Sequence, residues 1–409
     1  MRGFLPILSL TTNMNPAKKT LPTVLRRLDS AARRNLHRLL QKKSQAYLRS
    51  LRKKCYCCRQ YFDVSKSSHD KYDCMCVACG TQSWEKRNAV LDAQNKIAVV
   101  TGARVKIGFA CAVRLLRGGA VVIATTRFPE DAVNRFSKQP DFEQWKSRLH
   151  VYGLDFRSIR AVEAFIEHLQ HQYSHIDYLI QNAAQTIRMA ADEYEKLYAI
   201  PLENPSNQSC IVETSQPVAL LQATSCSNPL AVVGNTGHCD ASSVVPLVPP
   251  PLKNSWYLKV EEVSTVEFVE VQLVNVTVPF LLCARLKSLL TASRSNSERM
   301  YVIHVTAVEG QFSQRSKSKY HVHNNMAKAA LNMMTLTIAQ DYARERIYVT
   351  AVDPGWADVD YRLKTVDFDG RLLKAPLDEW DSAARVLDPI LVQSTAHGVL
   401  LKDFRSVSW

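Results

Sequence analysis

From Asn95 onward the chain alternates short apolar runs with stretches whose apolar residues recur every three or four positions. Lys96–Thr101, Ala120–Thr126, His150–Leu154, Ile176–Ile180, Tyr301–Val305 and Ile347–Val352 are of strand length and mostly apolar or β-branched. Nearly continuous apolar runs of this size predict strands buried on both faces. Val162–Gln172, Val263–Leu290 and Met326–Tyr342 carry helical spacing between them. Strands alternating with helices predict an α/β fold built on a doubly wound parallel sheet. One stretch breaks the rhythm: residues 201–256 are rich in Ser, Pro, Asn and Val and read as a disordered insertion.

The first 94 residues follow another pattern. Residues 1–54 hold 14 Lys/Arg against one acid, Asp29, so most of the chain's net charge of +14 sits in this arm. Leu21, Leu25, Leu28, Ala32, Leu36, Leu40 and Tyr47 recur near helical spacing among the basic residues, which predicts a basic helical arm over 1–54. Such an arm suits a mitochondrial transit peptide, a contact with nucleic acid or anionic membrane through residues 1–80, or a solvated amphipathic helix. No apolar stretch is expected to supply the ~18 residues of a bilayer span.

Six of the 11 Cys fall between positions 55 and 79. Cys55-x2-Cys58 and Cys76-x2-Cys79 are separated by 17 residues, a spacing that suits a four-thiolate zinc knuckle over residues 55–94. A closed set of four thiolates makes the expected zinc structural. Cys57, Cys74 and His69 are spare donors. The other cysteines are scattered with no secretory framework, so a reducing compartment, cytoplasmic or mitochondrial, is expected.

Chemistry concentrates in residues 95–409. Thr101-Gly102-Ala103-Arg104-Val105-Lys106-Ile107-Gly108 joins the first strand to its helix, where small residues let a backbone approach a pyrophosphate. Asn182-Ala183-Ala184 follows the fourth strand, and Asp353-Pro354-Gly355 forms a late turn. Together these residues resemble the short-chain dehydrogenase/reductase superfamily, with its T-G-x3-G-x-G turn, N-N-A-G motif and Y-x3-K pair. The preceding cysteine module resembles an atypical subgroup of it. The resemblance implies a Rossmann sheet of about seven strands, a small-molecule carbonyl or alcohol substrate, and in many relatives a homo-oligomer.

Several motif positions depart from the family. Lys106 stands at the middle glycine of the phosphate turn and Ala184 at the last glycine of N-N-A-G. Of the family's Asn, Ser, Tyr and Lys, the resemblance maps Asn275 and Lys328 onto the first and last. It puts Ala307 and Asn324 where Ser and Tyr belong. Tyr320 is the nearest substitute acid, but eight helical residues separate it from Lys328, about 12 Å along an axis. The expected catalytic set is therefore Asn275, Lys328 and Tyr320. The expected cofactor set is Gly102, Arg104, Lys106, Ile107, Gly108, Arg127, Asp155, Asn182, Lys328, Pro354 and Gly355.

The second strand ends Thr125-Thr126-Arg127, with no acid to hold a ribose diol. Arg104, Lys106 and Arg127 there favour NADP over NAD. An NADP(H)-dependent oxidoreductase is the leading expectation. A dinucleotide-binding sensor or scaffold, lacking the family's Ser and Tyr, is the alternative.

Overall fold

The apolar runs become strands where their pattern places them, in a computed structural model that describes residues 52–63, 69–189, 191–212, 255–292, 299–314, 317–357 and 375–409. The described chain forms two compact units, divided between Thr81 and Gln82. In the first, β1 (Arg52–Lys54) pairs antiparallel with β2 (Tyr61–Asp63). Arg52–Lys54 was expected at the end of a helical arm and is instead a strand. The rest of that arm lies outside the described residues. Phe62, Tyr72 and Met75 supply a small core.

The larger unit begins inside helix α1 (Val77–Asn88), earlier than the boundary expected at residue 95. The second half of that helix is held by its own unit. Lys86 Nζ pairs with Asp388 at 2.6 Å, Arg87 pairs with Asp378 and Asp381, and Arg114 donates to the Lys86 and Ala89 carbonyls.

An eight-stranded sheet forms the centre, in the order β10-β9-β8-β7-β6-β3-β4-β5. Its strands are β3 (Ile97–Thr101), β4 (Val121–Thr126), β5 (Leu149–Gly153), β6 (Tyr178–Gln181), β7 (Met300–Val305), β8 (Ile347–Asp353), β9 (Leu400–Lys402) and β10 (Arg405–Val407). All pairings are parallel except that of β10, which folds back on β9. Alternate residues enter opposite faces, as the two-residue period of a strand requires. Ala98, Val100, Val122, Val151 and Ile180 pack with α2 (Lys106–Arg117) and α7 (Glu379–Leu391). Val99, Ile123, Leu179, Val302 and Val349 pack with α3 (Ile159–Gln172), α5 (Val278–Thr291) and α6 (Val322–Arg344).

Two expectations need correction. Residues 201–212 belong to the fold: Ile211 bridges Val151, and Asn207 and Cys210 are buried. Ser255–Tyr257 likewise form a helical turn, with Ser255 buried. The remainder of the expected insertion lies outside the described residues. The helical run Thr265–Thr291 is also long and apolar enough, by length and composition alone, to cross a membrane. Its apolar residues have a different use here, because Val271, Val274, Val278, Leu282, Leu286 and Leu290 are buried, most of them in the second core.

His304 on β7 is fully buried, its ring joined to Thr335 Oγ1 at 2.7 Å and Cys283 Sγ at 3.4 Å. Burial pushes its pKa down from 6.5 to about 3. Between those values the unfolded chain binds a proton that the folded chain refuses. Stability is therefore expected to fall as pH drops below 6.5, by up to about 1.4 kcal/mol per pH unit from this group. Urea midpoints at neutral and mildly acidic pH test this. His304→Asn should flatten the dependence down to what His150 and His323, also pushed down by burial, contribute.

Candidate functional site

The strand order reverses at β3, which has β4 on one side and β6 on the other. Ligands of open α/β sheets bind at such a switch point, beyond the carboxyl ends of the strands. A cleft of about 420 Å³ lies there, lined by residues that follow β3, β4, β5, β6, β7 and β8. Gly102, Arg104, Lys106 and Ile107 line one part, and Ala307, Asn324, Lys328 and Pro354 also line it.

The turn after β3 is built for close approach. Gly102 has φ +67°, and a Cβ there would stand 2.8 Å from Ala183 Cα. Lys106 keeps φ +61° where the family carries glycine, so the left-handed geometry survives with a side chain attached. That conformation costs a non-glycine residue roughly 1–2 kcal/mol. Gly108 does not line the cleft. A Cβ on it would lie 2.3 Å from the Gly102 carbonyl and 2.4 Å from Asn182 Nδ2, so its role is to let α2 meet the turn. Asn182 is a clamp, its amide donating to the Thr101 and Gly102 carbonyls at 3.1 and 3.2 Å. Gly108→Ala should therefore lower unfolding stability by about 1–3 kcal/mol in chemical denaturation.

The expected cations divide. Arg104 is ion-paired with Asp131 at 2.5 Å, and Asp131 also holds Arg135. Burial pulls the Arg104 guanidinium below its ordinary value, although Asp131 opposes the shift. Arg127 donates to the Tyr194 hydroxyl at 2.6 Å and stacks near Phe128 and Tyr194, with no carboxylate on it among the described residues. Asp155 lines the cleft but is gripped by Arg157 through both carboxylate oxygens. Burial opposes its ionisation, yet Arg157 outweighs burial and holds the carboxyl below its usual range.

Asn275 bonds to Asn324, one turn before Lys328 on α6, but Asn275 is itself buried and, contrary to its expected place in the catalytic set, is not among the residues lining the cleft. Asn275 sits in a π-helical turn, Leu273–Thr277, between α4 (Thr265–Gln272) and α5. Pro279 explains the turn, because it lacks the N–H that would bond to the Asn275 carbonyl four residues back. The Asn275 side chain accepts from the Gln185 amide at 2.7 Å and donates to the Gln185 carbonyl and Asn324 Oδ1. Lys328 Nζ donates to the Val305 carbonyl at 2.8 Å. Burial pushes its pKa down to about 8, though Glu309 and Asp353 favour its charge.

Tyr320 is a correction. It is not among the residues lining the cleft; its ring packs near Tyr257, and its amide bonds to Ser318. His321, next along, adopts φ +45° and starts α6, so the chain turns before the helix instead of extending it back to Tyr320. Gly355 also stays outside the lining, its amide bonded to Asp353, whereas Pro354 lines it. Three lining residues had no motif to announce them. Gln185 binds Asn275, Thr306 has a buried hydroxyl without a partner, and Glu309 contributes a carboxyl group. Glu309 is marked in the sequence only as an acid two places after Ala307.

The first unit carries a separate centre. The Sγ atoms of Cys55, Cys58, Cys76 and Cys79 all lie within 4.8 Å of one another, and Cys58 and Cys76 are 3.9 Å apart. Tetrahedral Zn–S bonds of about 2.3 Å place sulfurs about 3.8 Å apart, so this thiolate set fits zinc. Cys57 instead contacts Met75, and His69 accepts from the Lys71 amide.

A short chain dehydrogenase family model matches residues 96–207 and 254–368. An uncharacterised protein of Acanthamoeba polyphaga mimivirus is 30% identical over 358 residues, covering 84% of this chain and 72% of that one. The WW domain-containing oxidoreductase of Drosophila melanogaster is 35% identical over 95 residues, 22% of this chain and 23% of its own length. Among solved structures, the Pseudomonas aeruginosa RhlG/NADP active-site complex superposes with TM-score 0.50 at 17% identity, covering 76% of this chain and 96% of that one. An NADPH-bound carbonyl reductase from chicken fatty liver gives 0.50 at 18%, covering 77% and 99%. The sequence match, together with a parallel sheet whose switch point carries the Gly102 turn and Lys328, means that this chain belongs to the short chain dehydrogenase family.

Proposed function

We propose that the chain is an NADP(H)-dependent oxidoreductase of a small molecule with a polarised double bond, a carbonyl or its nitrogen counterpart. The observation that carries this is one cleft holding both a bare glycine turn and a buried lysine. The residues present fit the cofactor. Gly102 leaves the backbone uncovered, the first turn of α2 presents N–H groups to an anion, and Arg127 follows β4 where a ribose 2′-phosphate would sit. When bound, the nicotinamide supplies or accepts hydride.

Each residue then has a stated task. Lys328 uses one ammonium proton on Val305 and keeps its others for ribose hydroxyls or a proton relay. Asn275 fixes the loop at Gln185 and orients Asn324. Thr306 offers a hydroxyl to a polar substrate atom. Ala307 and Asn324, at the family's Ser and Tyr positions, supply no acid. Lys328 is thus the group of the expected catalytic set best placed to hold a mobile proton, and its lowered pKa suits that work.

Arg127→Ala tests the cofactor assignment. It should weaken binding of adenosine 2′,5′-bisphosphate about tenfold or more, in line with the loss of a charged hydrogen bond, and leave 5′-AMP unchanged. Equal losses for both nucleotides would contradict the assignment.

For the four-cysteine cluster we propose one structural zinc ion. The closed thiolate set leaves no position for substrate. One zinc per chain by elemental analysis supports it, and a chain purified with full structure and no metal contradicts it.

A further inference from the structure

The part of the cleft holding Asn324 and Lys328 is poor in acids that could protonate an oxygen and contains one carboxylate, that of Glu309. Ala307 offers a methyl group. The Asn324 side-chain oxygen faces the Asn275 amide at 3.3 Å. Glu309 lines the same cleft; among the described residues its carboxylate makes no hydrogen bond and no ion pair within 4 Å, although the charges of Lys317 and Lys328 act on it. Its backbone is pinned. The helical turn Val308–Gly310 is held by Lys317 on the Val308 and Glu309 carbonyls and by Asn332 on the Gly310 carbonyl. A Cβ on Gly310 would sit 2.7 Å from the Lys328 backbone, so this turn lies tight against α6. Trp256 adds an indole to the lining, with its ring stacked on His321 at 4.0 Å.

A carboxylate and an indole suit a cation. We propose that Glu309 and Trp256 make this cleft a site for a protonated imine and for the amine it becomes. The proposal rests on the nicotinamide-dependent reading above and names its substrate class.

The chemistry explains why the missing hydroxyls need not abolish turnover. Reducing a ketone creates an alkoxide that must be protonated. Reducing an iminium ion does not. Hydride arriving at the iminium carbon forms a C–H bond, and the C=N π pair becomes the nitrogen lone pair. The substrate gains two electrons and the dihydronicotinamide loses them, with no proton drawn from the protein. What the site must supply is negative charge that keeps the imine protonated, and Glu309 supplies it. Lys328 faces the same carboxylate, and its ammonium is tied to the Val305 carbonyl at 2.8 Å.

The test uses the full chain, with and without NADPH. Phenylpyrrolidine, a cation at neutral pH, should bind at least tenfold more tightly than phenyltetrahydrofuran, its neutral isostere. Tenfold corresponds to about 1.4 kcal/mol. Glu309→Gln should erase that preference and leave NADPH affinity unchanged, whereas Glu309→Asp should retain most of it. NADPH should be consumed with phenylpyrroline and not with acetophenone. Equal binding of amine and ether, a preference that survives Glu309→Gln, or faster turnover of the ketone would each overturn the proposal. Failure of the wild-type chain to bind NADPH would instead sink the reading it rests on, and the amine–ether comparison on the chain alone would still judge Glu309.

Discussion

Cys58→Ser, or a strong zinc chelator, is expected to unfold residues 52–81 while Gln82–Trp409 keeps its own thermal transition. The first unit has a hairpin of two three-residue strands and few buried apolar side chains. A two-stranded hairpin is marginal in water, and so small a core cannot offset the entropy of ordering the chain. On the proposed zinc assignment, four thiolates on one ion would supply what the core lacks, with apparent binding energies of about 10–16 kcal/mol in comparable small modules. The larger unit has two cores of its own and no share in those ligands. Limited proteolysis before and after chelation checks this. Cleavage should appear within 52–81 and spare the strands of the main sheet. Unchanged resistance of 52–81 after complete metal removal would contradict it.

Lys328→Met should move stability and cofactor affinity in opposite directions. In the folded chain Lys328 titrates at about 8, against 10.5 for an ordinary lysine. Below pH 8 both states carry the charge, and the folded state bears the cost of burying it. That cost is relieved only as pH rises from 8 to 10.5. A shift of this size corresponds to about 3 kcal/mol, so methionine should stabilise the chain at neutral pH by up to that amount, less the lost bond to Val305. A charged hydrogen bond to the ribose is worth about 1.5–3 kcal/mol, so NADPH affinity should fall roughly tenfold to a hundredfold. Urea unfolding and a binding titration on the same variant provide both readouts. A purely structural lysine would lose stability and leave affinity alone.

The parallel sheet was legible because its strands are buried on both faces. Ile97–Thr101 and Met300–Val305 are almost wholly apolar, so no alternation had to be decoded. β9 and β10 escaped notice because strands of three residues, with only Leu400 buried among the six, are too short to carry a pattern. Residues 201–212 misled for a related reason. Their Pro and Asn favour turns, and only tertiary contact with β5 shows that Ile211 and Cys210 belong to the fold. Of the candidate site, Gly102 and Lys328 were readable because each belongs to a spaced motif, whereas the motif position of Asn275 proved to be a buried one outside the cleft lining. Tyr320 was not, because a left-handed residue at His321 decides where the helix begins. Arg104 read as a phosphate ligand until Asp131, 27 positions away, proved to hold it. Glu309 and Gln185 matter through what surrounds them in space, which no local spacing encodes.

The account rests on the cleft at the β3 switch point being a dinucleotide site. Calorimetric titration of the full chain with NADPH, with NADH as control, tests this most directly. One saturable site per chain is expected, with NADPH bound at least tenfold more tightly than NADH because Arg127 replaces the acid that would hold a free ribose diol. Absence of binding by either nucleotide would contradict the account, and would mean that Lys106 at the glycine position has closed the turn.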